Sequence, residues 1–342
     1  DLVFSLVGSE MCIRDSMNAT TNHADKSWSI LVDGHFKESD DLAQSFGGWG
    51  VDFRQLGPGR SPADLLQFGS PSFLVTKFHI GKPCDQRGST PPGMLTLGFR
   101  EKGSGMVSTP EGEVTDDGVW CFSAGREFSC TSQSDFRACG LSLSESLLDE
   151  VADIYDLWSI RTKLGSNRII RCHQRTAIDK IHNRLAVISS LIRSGETALH
   201  ALQQTRELEL DLARQILELL AAPLDVIRPV MTNRRQLVLK RMLDYLEANP
   251  KSPVTVHELA KAVGAGVRTL EYVFRDYFGV TPKAYLTSRR LIGVRRELQR
   301  SDVETTRVGD VALSWGFWHL GRFSKVYQQF FGEQPSKTLG RD

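Results

Sequence analysis

The last third of the 342-residue chain repeats itself, and that repeat limits the possible folds more than any other feature. Residues 270–286 read LEYVFRDYFGVTPKAYL, and residues 323–339 read FSKVYQQFFGEQPSKTL, an offset of 53. Val273, Phe278, Gly279, Pro282 and Leu286 recur as Val326, Phe331, Gly332, Pro335 and Leu339. Aromatic residues also pair, Phe274 with Tyr327 and Tyr277 with Phe330. Each copy reads as a helix stopped by Gly and restarted by Pro, because Gly tolerates the left-handed cap and Pro suits a first helical turn.

A short helix precedes each copy. Thr255 and Glu258 have the spacing of a capping box. Val256, Leu259, Ala260 and Val263 then supply one apolar face, as do Val308, Val311, Ala312 and Trp315 in the second copy. Glycines follow both, Gly264-Ala265-Gly266 and Gly316-Phe317. Helix, tight turn, helix is the helix-turn-helix plan, whose second helix enters the major groove of DNA.

Such a helix needs one face to pack and one to read. Leu270, Val273, Phe274 and Tyr277 form the packing face of the first, leaving Arg268, Glu271, Tyr272 and Arg275 outside. In the second, Phe323, Tyr327 and Phe330 pack, while Arg322, Lys325 and Gln329 point away. Arg suits guanine, Gln suits adenine, and either cation neutralises phosphate. Between the units, residues 282–300 form a helix burying Leu291, Val294 and Leu298. At about 1.5 Å per residue its length of roughly 28 Å approaches the ~34 Å between successive major grooves.

Charge supports a polyanion partner. Residues 232–342 hold 19 Lys+Arg and 11 Asp+Glu, a net of +8, while the rest carries −7.

Residues 255–339 strongly resemble the AraC/XylS family of bacterial regulators. The motifs are Arg268-Thr269-Leu270, Gly279-Val280-Thr281-Pro282, Tyr285-Leu286, Arg290-Leu291, Val311-Ala312, Gly316-Phe317, Phe323-Ser324, Gly332 and Pro335-Ser336. The resemblance implies a DNA-binding domain of two helix-turn-helix units over residues 233–342 and an N-terminal domain for effector sensing or dimerisation. The DNA-contacting set it supports is Arg268, Thr269, Glu271, Tyr272, Arg275, His319, Arg322, Lys325 and Gln329. Two residues depart from the family pattern: Gly266, where many members have a capping Ser, and Gly321, where a base-contacting side chain is common. The second departure shifts readout by the second helix toward His319, Arg322 and Lys325. The N-terminal region faintly resembles sensor domains of regulators of the ethanolamine-operon type, without identifying a ligand.

Upstream, residues 17–140 read as short strands broken by Gly, Pro and Ser, for example residues 72–80, 94–100 and 119–123. A β-rich barrel or sandwich-like sensor domain is expected, giving a multidomain α+β chain. Residues 141–222 turn helical, with Leu147, Val151, Ile154, Tyr155 and Trp158 at helical spacing. Ile178, Ile181, Leu185, Ile188 and Ile192 make a seam of period 3.5, read either as a homodimer contact or as a hairpin within one chain. Residues 223–232 are the expected linker. Residues 5–16 resemble a translated sequencing adapter, so residues 1–16 are read as a non-native leader and Met17 as the start.

The expected partners are double-stranded DNA, a small-molecule effector of unknown identity, a second copy of the chain, and RNA polymerase as a further candidate. No cofactor, metal or membrane is expected, and the location is cytoplasmic. No run reaches the roughly 18 apolar residues of a membrane span. A cupin-type metalloenzyme fused to a DNA-binding domain is the weaker reading. It needs clustered His and carboxylate ligands, and His79 is the only His between His35 and His173. A DNA-binding regulator whose N-terminal domain only dimerises is the other alternative. Cys12, Cys84, Cys121, Cys130, Cys139 and Cys172 include no C-x-x-C pair and read as reduced thiols, not as a zinc site.

Overall fold

A computed structural model describes residues 28–110, 112–116, 118–161, 168–172, 175–194, 205–221, 224–226 and 233–340. The leader expected over residues 1–16 lies outside them. The chain divides into two compact units, one holding Arg54–Ser61 with the C-terminal third and the other Thr21–Phe53 with Pro62–Val230.

The N-terminal unit contains thirteen strands among its described residues: β1 (Ser29–Phe36), β2 (Gly50–Gln55), β3 (Ala63–Ser70), β4 (Phe73–Ile80), β5 (Cys84–Ser89), β6 (Met94–Arg100), β7 (Val107–Thr109), β8 (Gly112–Val114), β9 (Gly118–Phe122), β10 (Glu127–Ser132), β11 (Phe136–Ser144), β12 (Arg168–Cys172) and β13 (Leu224–Val226). Five helices accompany them: α1 (Ser39–Ala43), α2 (Glu145–Tyr155), α3 (Trp158–Arg161), α4 (Arg175–Ser194) and α5 (Thr205–Ala221). One sheet runs β1-β3-β4-β11-β6-β9-β12-β13 and the other β2-β5-β10-β7-β8. The ten pairings with a defined register, all but that of β2 with β5, are antiparallel. Two open sheets replace the barrel that the strand pattern also allowed, because short alternating strands do not state whether the first and last will pair. The last strand, β13, falls within the stretch expected as linker.

Strand alternation sorts the large sheet's side chains. Phe73, Val75, Leu97 and Leu141 join a core with Leu147, Ile181, Leu185 and Ile216 of the helices. On the opposite parity, Phe78 and Phe136 pack with aromatic residues such as Phe46 and Phe128.

The period-3.5 seam is internal. Ile178, Ile181, Leu185 and Ile188 are buried in this chain's own core against α5 and the sheet, with Ile192 packed beside them. The hairpin reading is therefore correct for the seam, and the homodimer expectation loses that surface. The run after Leu141 also changes character partway. Leu147 and Val151 are buried, but α2 stops at Asp156 in the left-handed region, and Ile154, Tyr155 and Trp158 stay exposed.

The C-terminal unit contains α6 (Asn233–Ala248), α7 (Val256–Ala262), α8 (Val267–Phe278), α9 (Pro282–Gln299), α10 (Val308–Ser314), α11 (Leu320–Phe331) and α12 (Pro335–Leu339). The capping box forms: Glu258 N–H donates to Thr255 Oγ1 at 3.2 Å and Thr255 N–H to Glu258 Oε2 at 2.8 Å. Both Gly stops adopt positive φ, +67° at Gly279 and +70° at Gly332, and Pro282 and Pro335 restart the next helices. One core gathers Leu239, Met242 and Leu246 of α6 around Leu270, Phe274 and Tyr285. Leu56, only 3% exposed, completes it, and Ser288 Oγ donates to the Leu56 carbonyl at 3.4 Å. The other core joins Leu291, Val294 and Leu298 of α9 to Trp315, Phe323 and Tyr327.

Helix α9 thus serves both cores, and Trp315 fixes the second onto it. A Cβ at Gly293 would stand 2.2 Å from Trp315 Cη2, so the indole lies directly on the helix backbone. Its Nε1–H donates to Glu297 Oε2 at 2.9 Å, and Lys251 Nζ meets the same oxygen at 2.8 Å. Burial opposes charge on Glu297, but these hydrogen bonds outweigh it and hold the carboxyl below its ordinary value.

Gly293→Ala should therefore destabilise the C-terminal unit. Helix propensity alone favours Ala by about 1 kcal/mol, whereas forced overpacking costs about 1–3 kcal/mol. We expect a lower melting temperature for the variant by calorimetry. A higher one would show that the Trp315 contact does not govern this helix.

Candidate nucleic-acid interface

The two turns aim α8 and α11 outward in the same way. Each helix buries its apolar stripe, Val273, Phe274, Tyr277 and Phe278 in α8 and Phe323, Tyr327, Phe330 and Phe331 in α11. The remaining faces are exposed. Arg268, Glu271, Tyr272 and Arg275 lie on the outer side of α8 with Thr269 half-buried at its margin. Arg322, Lys325 and Gln329 lie on that of α11, and exposed His319 occupies its N-cap. The sequence-derived residues thus fall into two sets, one on each helix.

Within the first set the side chains interact. Both Nε and Nη2 of Arg268 face Tyr272 Oη at 3.3 Å, and the guanidinium lies 5.8 Å from the Tyr272 ring centre. Arg235 of α6 approaches that ring at 5.2 Å while its Nη1 contacts Asp276 at 2.8 Å. Tyr272 is therefore flanked by two cations, which orients its hydroxyl and fixes Arg268 by cation–π attraction. Arg235 is absent from the sequence-derived set. Its signal was the apolar spacing Leu239, Met242 and Leu246, which marks α6 as a packed helix whose first turn lies beside α8.

No side-chain cap satisfies the first turns of α8 or α11, whereas Thr255 and Thr281 cap α7 and α9. Free N–H groups at a helix start attract phosphate.

Not all the basic charge faces outward. Arg295 is 1% exposed, with its guanidinium 5.1 Å from the Phe331 ring centre. Arg290 stacks 5.0 Å from the Phe317 ring centre and donates to the Gly316 carbonyl at 3.4 Å, and burial draws its pKa below the ordinary value. Arg289 donates to the carbonyls of Leu246 and Asn249, closing the end of α6. These three arginines brace the helices, which the charge count could not distinguish from phosphate contacts.

In the N-terminal unit, a cavity of about 60 Å³ lies between the sheets, lined by Phe46, Trp49, Phe78, Trp120, Phe122 and Phe128, with Gln86 and Arg100 adding polar groups. Cys84, Cys121, Cys130 and Cys139 are buried and form no disulfide, and burial pushes the Cys139 thiol up to about 12. A thiol held neutral reacts poorly with oxidants. His79 is half-buried between two carboxylates, with Nδ1 3.0 Å from Asp64 and Nε2 2.9 Å from Asp135. Among the described residues no group of three His, Cys, Asp or Glu side chains is placed to hold a metal.

Two helix-turn-helix units joined by one long helix define a class of bipartite DNA-binding domain. A family model described as "Helix-turn-helix domain" matches residues 259–341. The "Probable thc operon regulatory protein" of Rhodococcus erythropolis is 39% identical over 102 residues, 30% of this chain and 31% of that protein. The "XylDLEGF operon transcriptional activator 2" of Pseudomonas putida is 36% identical over 100 residues, 29% of this chain and 64% of that one. A solved structure titled as a probable AraC family transcriptional regulator from Rhodopseudomonas palustris is 36% identical. It spans 30% of this chain and 95% of its own, with a TM-score of 0.28. The AraC-like transcriptional activator CuxR is 16% identical, covering 71% of this chain and 85% of its own, with a TM-score of 0.37. Over this C-terminal region the chain is similar to helix-turn-helix regulators of the AraC/XylS type. The match spans about a third of the length of most of the curated relatives.

If the two helices read separate grooves, their variants should separate too. In binding-site selection at fixed salt, Arg268→Ala should relax one base position and Arg322→Ala a different one, each costing about 1–3 kcal/mol at the preferred site. Relaxation of one shared position by both variants would refute the division.

Proposed function

We propose that this protein is a sequence-specific regulator of transcription that binds duplex DNA through α8 and α11 and responds to a small molecule. The observation that carries the DNA-binding part is the duplicated presentation of basic, hydrogen-bonding faces. Arg268 and Arg322 supply donors for guanine edges, and Glu271 supplies an acceptor that suits a cytosine amine. Lys325 and the uncapped helix starts suit phosphates. Through α9, about 27 Å long for its 18 residues, both helices are offered to successive major grooves. RNA polymerase is a further candidate partner, and the proposed location is the cytoplasm. Among the described residues no helix is long and apolar enough to cross a membrane.

Effector response rests on the aromatic cavity of the N-terminal unit. Apolar walls with a few polar groups are the usual make-up of a small-molecule site, and the cavity of about 60 Å³ must widen toward the usual range of roughly 300–1,000 Å³ to admit an effector. Such a site communicates with DNA binding only if its ligand has different affinity for two states of the chain. A reaction at this site finds no support from the buried, raised Cys139 thiol or from a metal cluster.

DNA affinity of the full chain should fall steeply as salt rises, because phosphate contacts release counterions. Lys325→Ala should weaken all sequences alike and flatten the log–log salt slope by about one unit. Electrophoretic mobility shifts across a salt series measure both. Binding that ignores salt, or no binding at low salt, would overturn the proposal.

A further inference from the structure

The second turn is longer than the first, and the added length exposes a tryptophan. Four residues separate α7 from α8, but five separate α10 from α11. The positive-φ glycines fix the site of the difference. Gly264 and Gly316 are 52 residues apart, whereas the first packing residues, Leu270 and Phe323, are 53 apart. The extra residue therefore lies between Gly316 and Phe323. Trp318 stands in that stretch with 70% of its surface exposed, more than any other large apolar side chain described. The first turn carries Ala265 and Gly266 in the corresponding stretch and presents no such group.

A second feature sits beside it. Gly321, three residues on, is exposed at the start of α11, and a Cβ built there would meet nothing within 4 Å. The reading end of the helix thus combines a broad indole with a gap where a side chain would otherwise stand. Arg322 and Lys325 follow on the exposed side of the same helix and draw the duplex toward it.

The N-terminal residues of a recognition helix are those that reach base edges. In the major groove, the apolar feature on those edges is the 5-methyl group of thymine. An indole left in water gains by covering such a group, and Gly321 leaves it room to do so. We propose that Trp318 and the gap at Gly321 form an apolar slot for a thymine 5-methyl group, which makes Trp318 a specificity-determining residue of the second half-site. The inference rests on the DNA-binding reading above. It adds an apolar preference to a helix whose charged residues, Arg322 and Lys325, are both donors.

The test uses the full chain and the site that it selects. Each thymine is replaced in turn by deoxyuridine, which removes only the methyl group, and the Kd is measured at fixed salt for the unmodified protein, Trp318→Ala and Trp318→Phe. One replacement should weaken the unmodified protein about fourfold, the value of one buried methyl-sized group. Trp318→Ala should bind the thymine and deoxyuridine sites equally, and Trp318→Phe should keep part of the difference. Because Trp318 is exposed, both variants should melt with the unmodified protein. Indifference of the unmodified protein to every replacement would overturn the slot. So would undiminished methyl sensitivity in Trp318→Ala, or a uniform loss on all sequences with methyl sensitivity intact, as expected of an indole on the sugar–phosphate edge or in a protein contact. Absence of any DNA binding at low salt would instead sink the underlying reading, so the two failures are distinguishable.

Discussion

The contact of Trp315 with the bare backbone at Gly293 sets the geometry on which the C-terminal domain depends. A glycine in the middle of an 18-residue helix sacrifices helical stability, and the site tolerates it because an indole occupies the space of the missing Cβ. The indole ends α10, and the turn that follows it launches α11. Glu297, held ionised by Trp315 and Lys251, ties the same ring to α9 from the side. On the N-terminal half of α9, Tyr285 and Leu286 join the core that supports α8. One helix therefore sets the positions of both reading helices, and neither can shift without disturbing a packed core.

That arrangement requires cations inside the domain as well as on it. Arg289, Arg290 and Arg295 all lie on α9, and each meets carbonyls or an aromatic face of the surrounding helices. Guanidinium suits this role because it is planar, stacks on rings and donates in several directions. The surface charge offered to a duplex is consequently smaller than the +8 of the sequence. What remains includes Arg268 and Arg275 on the exposed face of α8 and Arg322 and Lys325 on that of α11.

Much of this was legible in the sequence. The capping box of Thr255 and Glu258, the Gly279–Pro282 and Gly332–Pro335 punctuation, and the packing stripes of α8 and α11 are local patterns that local physics enforces. Helix α9 and its buried Leu291, Val294 and Leu298 were equally readable, as were strands β4, β6 and β9. What the sequence left open depends on distant partners. The Ile178–Ile181–Leu185–Ile188 stripe is apolar whether it faces a second chain or its own sheet, and only the fold shows that the sheet takes it. Ile154, Tyr155 and Trp158 continue a helical spacing, yet the first two lie on the exposed side of the last turn of α2, and Trp158 follows the break at Asp156 and is exposed as well. Leu56 sits in a loop with no periodicity, so nothing local marked it as core to the C-terminal unit. Closure of the strands into a barrel was open for the same reason, since edge pairing is a long-range property. At the interface, exposed Trp318 escaped notice because it belongs to a turn, where apolar periodicity carries no information.

The central claim is that α9 presents α8 and α11 together to one face of a duplex. Hydroxyl-radical footprinting of the full chain on its selected site, paired with base-methylation interference, measures this most directly. The account predicts two protected major-groove segments about 10–10.5 base pairs apart on the same side of the helix. A single protected segment, or two segments on opposite sides, would contradict it.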